Sequence, residues 1–170
     1  FSPNLKVGNQ TWASNAITID IWFYPTANGI QVMSETDAVD PTNLGYHYSI
    51  LEIDSGGYVH ARFWDGSGGH AYTSEATVTL NAWNHIYFYE DTQGGHELQV
   101  NGVRNQSTQA PTYTRQKPSN GEYFSIGWGD TSNMVTITPF QGKIGDINIH
   151  DYVVNSTYTA TKSKYLVPPP

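Results

Sequence analysis

The sequence contains no cysteine among its 170 residues. This absence excludes thiolate metal sites, thiol nucleophiles and disulfide bonds.

Basic residues are also few, since the sequence has 8 Lys and Arg and 15 Asp and Glu, which gives a net charge of −7. They are scattered along the chain, so we expect no nucleic-acid partner. No apolar run approaches membrane-spanning length, so we also expect no membrane insertion.

Aromatic residues and glycine, in contrast, are abundant, with 12 Tyr, 5 Trp and 16 Gly. Aromatic and β-branched residues suit pleated surfaces, and Gly and Asn suit turns. No segment has a sustained 3.6-residue apolar period, whereas turn signals recur about every ten residues. The sequence therefore predicts an all-β sandwich or jelly roll with almost no helix. We expect one domain over residues 1–166 and the start of a proline-rich linker at residues 167–170.

The segment "SILEIDSGGYVHARFW" (49–64) predicts a hairpin with a three-residue loop, Ser55-Gly56-Gly57. Only an odd loop length places the apolar residues of both strands on one face. We expect Ile53 opposite Val59 and Leu51 opposite Ala61, with Gly56 or Gly57 in the left-handed region. The outer face then carries Glu52 across from His60.

Five short motifs follow one another along the chain: "ITIDIWFYP", "NAWNHIYF", "LQVNGV", "FSIGW" and "FQGKIGDINIHD". In order and spacing they resemble the strands of a laminin G-like domain of the concanavalin A-like lectin/glucanase superfamily. The matching residues are Trp22, Pro25, Trp83, His85, Asn101, Gly102, Ile126, Gly127, Phe140, Gly142, Ile144 and Asp146. The resemblance implies a concanavalin A-like jelly-roll sandwich of two antiparallel sheets. It also implies binding of glycans or proteins, often with a calcium ion at the rim.

The same superfamily includes laminarinase-type glucanases, and Glu52 and Asp54 match two of their three alternating carboxylates. A retaining glycosidase needs two carboxyl groups about 5–5.5 Å apart, one as nucleophile and one as acid/base. The third carboxylate would fall near Gly56 or Gly57, so the acid/base is missing. No His spacing fits a zinc site or supports a hydrolytic triad. We therefore expect no enzyme.

Sugars bind to flat aromatic faces with polar groups at their hydroxyls. Trp64 and Trp128 each end a strand beside a glycine-rich turn, so either could stand exposed at the rim or cap the core. Trp12, Trp22 and Trp83 are better explained as packed. The candidate ligand-binding residues are Trp64, Asp65, His70, Tyr113, Trp128, Asp130 and Asn133.

Calcium requires six to eight oxygen ligands, and loop carboxylates are the natural candidates. We name Asp37, Asp40 and Asp130 as candidate metal ligands, and Ca²⁺ as the one cofactor to expect, if any. Such Asp residues equally serve as turn formers that accept hydrogen bonds from nearby backbone N–H groups. Both interpretations stay open at this stage.

The sequence thus favours a non-catalytic recognition module for carbohydrate or a surface receptor, with or without the aid of calcium. Its expected partner is a glycan or glycoprotein surface, within a larger secreted, cell-surface or virion protein. The alternative is a structural or assembly module of a capsid, tail fibre or filament that binds neighbouring protein subunits. A glycan hydrolase is the least favoured of the three.

Overall fold

The computed structural model describes residues 5–10, 16–36, 47–93, 95–105, 115–116, 122–127 and 138–154. The described residues form strands and connecting turns without any helix, which confirms the all-β prediction. Consequently they contain no helix that could span a membrane.

The described strands are numbered in chain order. They are β1 (Leu5–Gln10), β2 (Ile17–Pro25), β3 (Ile30–Thr36), β4 (His47–Ile53), β5 (Tyr58–Trp64), β6 (Gly69–Thr77), β7 (Asn84–Glu90), β8 (His96–Val100), β9 (Val103–Arg104), β10 (Glu122–Ile126) and β11 (Gly142–His150).

These strands form two antiparallel sheets that pack as a sandwich. The six-stranded sheet has the order β1-β10-β3-β4-β5-β6, and the five-stranded sheet has the order β11-β2-β7-β8-β9. Strands distant in sequence are neighbours, as when β11 pairs with β2. This arrangement confirms the predicted jelly-roll sandwich and leaves each sheet with one inner and one outer face.

The core lies between the sheets and follows the period-2 alternation of the strands. On β2, Ile17, Ile19, Ile21 and Phe23 are fully buried against the facing sheet. The same alternation directs side chains of four other strands into the core. They are Leu51 and Ile53 of β4, Val59, Ala61 and Phe63 of β5, Ile86 and Phe88 of β7, and Leu98 and Val100 of β8. The inward positions of β4 and β5 expected from the hairpin register are therefore confirmed.

The outer face of β2 is also buried, which simple alternation would not predict. Thr18 of β2 and Tyr87 of the neighbouring β7 are buried here and bond to the segment that follows β11. The Thr18 hydroxyl donates to Tyr152 O at 2.7 Å and accepts from Val154 N at 3.0 Å, and the Tyr87 hydroxyl donates to Val154 O. Residues 151–154 therefore cover part of the five-stranded sheet from outside.

The predicted hairpin is present with the predicted register. Ile53 pairs with Val59 and Leu51 pairs with Ala61. Gly57 supplies the left-handed residue with φ of +88°, and Asp54 N donates to Tyr58 O to close the loop. The turn thus occupies the place where a third catalytic carboxylate would have to stand.

One buried charged cluster joins the two sheets at the end where β3 and β7 finish. Arg115 Nη2 donates to Glu35 Oε1 at 2.5 Å, and Arg115 N donates to Glu90 Oε1 at 2.7 Å. All three side chains are essentially inaccessible to solvent. Because Glu35 and Glu90 belong to different sheets, Arg115 ties its segment to both layers.

Candidate functional site

The outward side chains of β5 define one polar and aromatic surface. Its burial pattern alternates, so Val59, Ala61 and Phe63 point inward and the other four point outward. We call the outer strip the set Tyr58, His60, Arg62 and Trp64 of β5, with Glu52 of β4 and Thr73 of β6 beside them. An aromatic ring stands at each end of β5, and hydrogen-bonding groups lie between the rings.

An ion pair occupies the middle of the outer strip. Arg62 Nε and Nη2 contact Glu52 Oε1 at 2.8 and 2.6 Å. The Arg62 side chain keeps 33% of its surface exposed and that of Glu52 13%. Such a half-exposed pair contributes little to stability but holds N–H donors and carboxylate acceptors at fixed positions.

A second polar row runs beside this pair, from the turn after β4 across β5 to β6. His60 Nε2 lies 3.0 Å from Asp54 Oδ2, and His60 Nδ1 lies 2.9 Å from Thr73 Oγ1. A neutral imidazole satisfies both contacts when Nε2–H donates to Asp54 and Nδ1 accepts from the Thr73 hydroxyl. The hydroxyl lone pairs then remain available to a donor from a ligand.

The Asp54 carboxylate is held in its ionised form. Partial burial opposes ionisation, but hydrogen bonds from His60, Tyr58 N and Gly56 N outweigh it and lower the pKa of Asp54 below its usual value. A general acid needs the opposite shift. The pKa of Asp54 is therefore shifted away from what a general acid needs, and Glu52 is paired with Arg62.

Three sequence-predicted ligand residues, Trp64, Asp65 and His70, lie together at the C-terminal end of β5. His70 Nε2 lies 2.9 Å from Asp65 Oδ2, and the His70 ring lies 5.3 Å from that of Phe63. Trp64 is half-buried on the outer face. The structure thus brings these three residues to one edge of the outer strip.

Asp65 acts in this place as a turn former. Its Oδ1 accepts from Ser67 N at 2.8 Å and Gly68 N at 2.7 Å, and these hydrogen bonds hold the pKa of Asp65 well below its usual range. Asp91 serves its own turn similarly, through Gln93 N and Gly95 N. Both carboxylates therefore have backbone partners, as the turn-former interpretation requires.

The segment at residues 115–116 fixes the rim next to Trp64. Gln116 N donates to Trp64 O at 2.7 Å. Its neighbour Arg115 is anchored in the interior by Glu35 and Glu90. Trp64 therefore lies on a rim that buried charges position from within.

The other predicted ligand residues, Tyr113, Trp128, Asp130 and Asn133, lie outside the described residues. The predicted metal ligands Asp37, Asp40 and Asp130 lie outside them as well. In the part of the chain that the structure describes, no three His, Asp or Glu side chains group closely enough to hold a metal ion. The calcium site therefore stays a prediction.

Sequence reasoning identified some members of the outer strip and missed others. It placed Glu52 and His60 on opposite positions of the hairpin, and the register agrees. Their side chains, however, bond diagonally, Glu52 to Arg62 and His60 to Asp54. Arg62 was not named as a candidate ligand-binding residue, although the alternation of "HARFW" already places it on the face of His60 and Trp64.

His85 has the surroundings of a structural residue. His85 is buried on the outer face of the five-stranded sheet, with Nε2 2.8 Å from Asp20 Oδ1. Its ring centroid lies 5.0 Å from that of Trp22. Trp22 is buried as expected, whereas Trp83 is only half-buried and contacts Tyr24.

Comparisons with known proteins agree with this architecture. The family model of the concanavalin A-like lectin/glucanases superfamily, in its laminin G form, matches residues 2–158. A comparison with curated protein sequences gives no match.

Solved structures give the same result at low sequence identity. The CBM40 module of a Ruminococcus gnavus IT-sialidase, bound to α2,6-sialyllactose, aligns with a TM-score of 0.67 and 16% identity over 95% of this chain and 96% of that one. A heptameric pentraxin from Limulus polyphemus gives a TM-score of 0.65 and 12% identity over 96% and 77%. Mouse laminin α1 domains LG4–5 give a TM-score of 0.62 and 15% identity over 89% and 40%.

At these identities the structural likeness concerns the fold, and the assignment rests on the family model over most of the chain. The chain belongs to the concanavalin A-like lectin/glucanases superfamily, as a laminin G-like domain.

Proposed function

We propose that this domain is a non-catalytic recognition module that binds carbohydrate through the outer strip. The supporting observation is that Trp64, Arg62, the Glu52 carboxylate and the Thr73 hydroxyl share one outer sheet surface. A flat ring can cover the apolar face of a sugar while donors and acceptors reach its hydroxyls. The sialyllactose-bound CBM40 module, which has the same fold, is consistent with such a role.

The outer strip suits an extended ligand. Tyr58, which is 40% exposed, and Trp64 stand at the two ends of β5. At the rise of a β-strand their positions are about 20 Å apart, which exceeds a single sugar ring. We therefore propose an oligosaccharide that runs along β5, with Arg62 and Glu52 near its middle.

The state of the carboxylates supports the proposal of binding without turnover. Glu52 is paired with Arg62, Asp54 has a lowered pKa, and Gly56 and Gly57 form the turn where a third acid would stand. The Asp54–His60–Thr73 row has the order of a hydrolytic triad. We assign it to positioning, since its Asp also closes the hairpin turn through Gly56 N and Tyr58 N.

The experiment is a glycan-array screen of the wild-type domain, followed by titration calorimetry with the best glycan. Trp64→Ala should weaken binding at least about tenfold, because stacking on a tryptophan contributes on the order of 1.5 kcal/mol. Leu80→Ala is the matched control, since Leu80 is exposed on a turn outside the outer strip. Equal affinity of Trp64→Ala and the wild type, with both folded, would contradict the proposal.

A test for turnover completes this experiment. Incubation with β-glucan and with an activated ester should release no product above the level of Glu52→Gln and Thr73→Ala. Hydrolysis that disappears in either variant would establish an enzyme instead.

We further propose a bound calcium ion as an aid to recognition, with Asp37, Asp40 and Asp130 as its ligands. The chemistry of this carboxylate set supports the proposal, since hard cations prefer several oxygen ligands. Calcium at 100 times its Kd should stabilise the folded state by about 2.7 kcal/mol. A melting temperature that chelation leaves unchanged would remove calcium from the proposal.

The domain is further proposed to act at a cell, virion or extracellular surface as part of a larger protein. In such a setting the outer strip would face glycans on neighbouring surfaces. Labelling of intact cells or particles with an antibody against the domain is the test.

A further inference from the structure

A second aromatic surface lies on the opposite side of the sandwich from the outer strip. Tyr24 ends the outer face of β2, and Trp83 immediately precedes β7. Their ring centroids are 5.9 Å apart at an interplanar angle of 75°. Lys143 Nζ, from β11, lies 5.6 Å from the centroid of the Tyr24 ring. We call Tyr24, Trp83 and Lys143 the aromatic–lysine patch.

The charge of Lys143 has no counterion among the described residues. Arg62, Arg104 and Arg115 contact Glu52, Glu97 and Glu35 respectively. Lys143 is exposed and is held over the Tyr24 ring by a cation–π contact. In a chain of net charge −7, an exposed cation without a carboxylate partner favours an anionic group from outside.

The backbone fixes Lys143 beside Tyr24. Gly142, which pairs with Pro25, has a φ of +137°, and a Cβ on it would lie 1.9 Å from Tyr24 O. Thr26 N also donates to Gln141 O at 2.9 Å. Only glycine permits this close approach, so the Lys143–Tyr24 pair is set by the chain path.

A buried asparagine fixes Trp83 in a comparable way. Asn84 Nδ2 donates to Thr79 O and Ala82 O, and Asn84 Oδ1 accepts from Thr79 N and Asn101 Nδ2, all at 2.8–2.9 Å. Trp83 directly precedes Asn84, whose side-chain amide has hydrogen-bond partners at both its N and its O atom. The backbone of Trp83 is therefore restrained before a ligand binds, and binding costs little further conformational entropy there. The two rings are therefore a preformed surface.

The rest of this sheet face offers less room to a ligand. Residues 151–154 cross it and bond to Thr18 and Tyr87. Tyr24 and Trp83, at the far end of the face, are half-buried and so retain accessible surface.

We propose that the aromatic–lysine patch is a second binding site, and that it takes a saccharide carrying a carboxylate group. The rings of Tyr24 and Trp83 cover the apolar face of the sugar, and the Lys143 ammonium pairs with its carboxylate. This inference goes beyond the proposed function, because the patch and the outer strip lie on different sheets.

The experiment compares trigalacturonate with galactotriose, which lacks the carboxylates, by NMR titration of the full chain. Trigalacturonate should bind the wild type with the higher affinity. Lys143→Gln should weaken trigalacturonate binding about fivefold and leave galactotriose unaffected, as expected for one exposed ion pair. Trp83→Ala should weaken both about tenfold or more.

Arg104→Gln is the matched control, because it removes the same charge from the same sheet at a residue paired with Glu97. Its affinity for trigalacturonate should equal that of the wild type. Absence of trigalacturonate binding, or equal losses in Lys143→Gln and Arg104→Gln, would overturn the inference.

The Trp64→Ala variant separates this inference from the proposed function. It should retain trigalacturonate binding while it loses the glycan bound at the outer strip. If trigalacturonate binding is lost in Trp64→Ala and kept in Trp83→Ala, the acidic sugar belongs to the outer strip. The second site would then be overturned and the proposed function would stand.

Discussion

Glu90 faces the apolar interior between the two sheets, where an ionised carboxylate is costly. Burial raises the pKa of Glu90 to about 8, although Arg115 opposes the shift. Burial raises the pKa of Glu35 as well, again against the effect of Arg115. Glu35 Oε2 and Glu90 Oε2 have no hydrogen-bond partner among the described residues, which is consistent with a cluster that holds a proton near neutral pH.

Glu90→Gln should stabilise the domain at alkaline pH relative to wild type. Folding raises the pKa of Glu90 from about 4.5 in the unfolded chain to about 8. The contribution of protonated Glu90 to the free energy of unfolding is therefore complete below pH 4.5, and it is lost as the pH rises through about 8. Each pKa unit of difference is worth about 1.4 kcal/mol, and we expect a gain of about 1–3 kcal/mol at pH 8.5. Gln retains the oxygen that accepts from Arg115 N.

Urea unfolding of wild type and Glu90→Gln at pH 5 and pH 8.5 measures this effect. The stability difference between the two proteins should be small at pH 5 and large at pH 8.5. The same difference at both values would show that Glu90 does not titrate in this range.

Arg115→Met should destabilise the fold strongly, because it removes the guanidinium that pairs with the buried Glu35 carboxyl group. Loss of one partner from a buried ion pair costs about 3–5 kcal/mol. Arg62→Gln is the matched comparison, since Arg62 pairs with Glu52 at a half-exposed position and should cost less than about 1 kcal/mol. Thermal unfolding measures the stability of both variants. Equal losses of stability in Arg115→Met and Arg62→Gln would contradict this prediction.

Individual residues were predictable from sequence only where their partners are local. The roles of Asp65 and Asp91 as turn formers follow from neighbouring glycines and backbone N–H groups within four residues. The Arg115–Glu35 contact joins residues 80 positions apart, and no local pattern indicates it. Lys143 and Tyr24 likewise meet only because β11 returns to pair with β2.

At the scale of elements, the β4–β5 hairpin shows why register could be predicted. The alternation of apolar residues showed which side chains of both strands face the core. Because only an odd loop length places these side chains on the same face, one register remained, and the structure has this register. β1 was not predicted, because Gly8 and Asn9 within it are typical of turns and it forms a strand by pairing with β10. β3 also extends to Thr36, where it pairs with both β4 and β10.

Gly57→Ala should destabilise the hairpin by about 1 kcal/mol, because an L side chain is strained at its φ of +88°. Gly68→Ala is the control, since Gly68 has an ordinary φ and nothing within 4 Å of an added Cβ. Chemical denaturation measures both variants. A Gly57→Ala variant as stable as the wild type would contradict the assigned turn conformation.

At the scale of the whole molecule, the two outer faces of the sandwich differ. The outer face of the six-stranded sheet carries the outer strip. The outer face of the five-stranded sheet is partly covered by residues 151–154, and the aromatic–lysine patch is the part of it that remains accessible. Family motifs predicted the sandwich, because core alternation and turns recur through the chain. They did not predict which face is covered, since that depends on contacts between segments distant in sequence.

The central claim is that the outer strip binds an oligosaccharide, and amide chemical-shift mapping tests it most directly. The best glycan from an array is titrated into isotope-labelled domain, and shift changes are assigned along the chain. The account predicts the largest changes at Glu52, His60, Arg62, Trp64 and Thr73, with little change at His85 or Tyr87. Changes confined to the five-stranded sheet, with β4 and β5 unaffected, would contradict it.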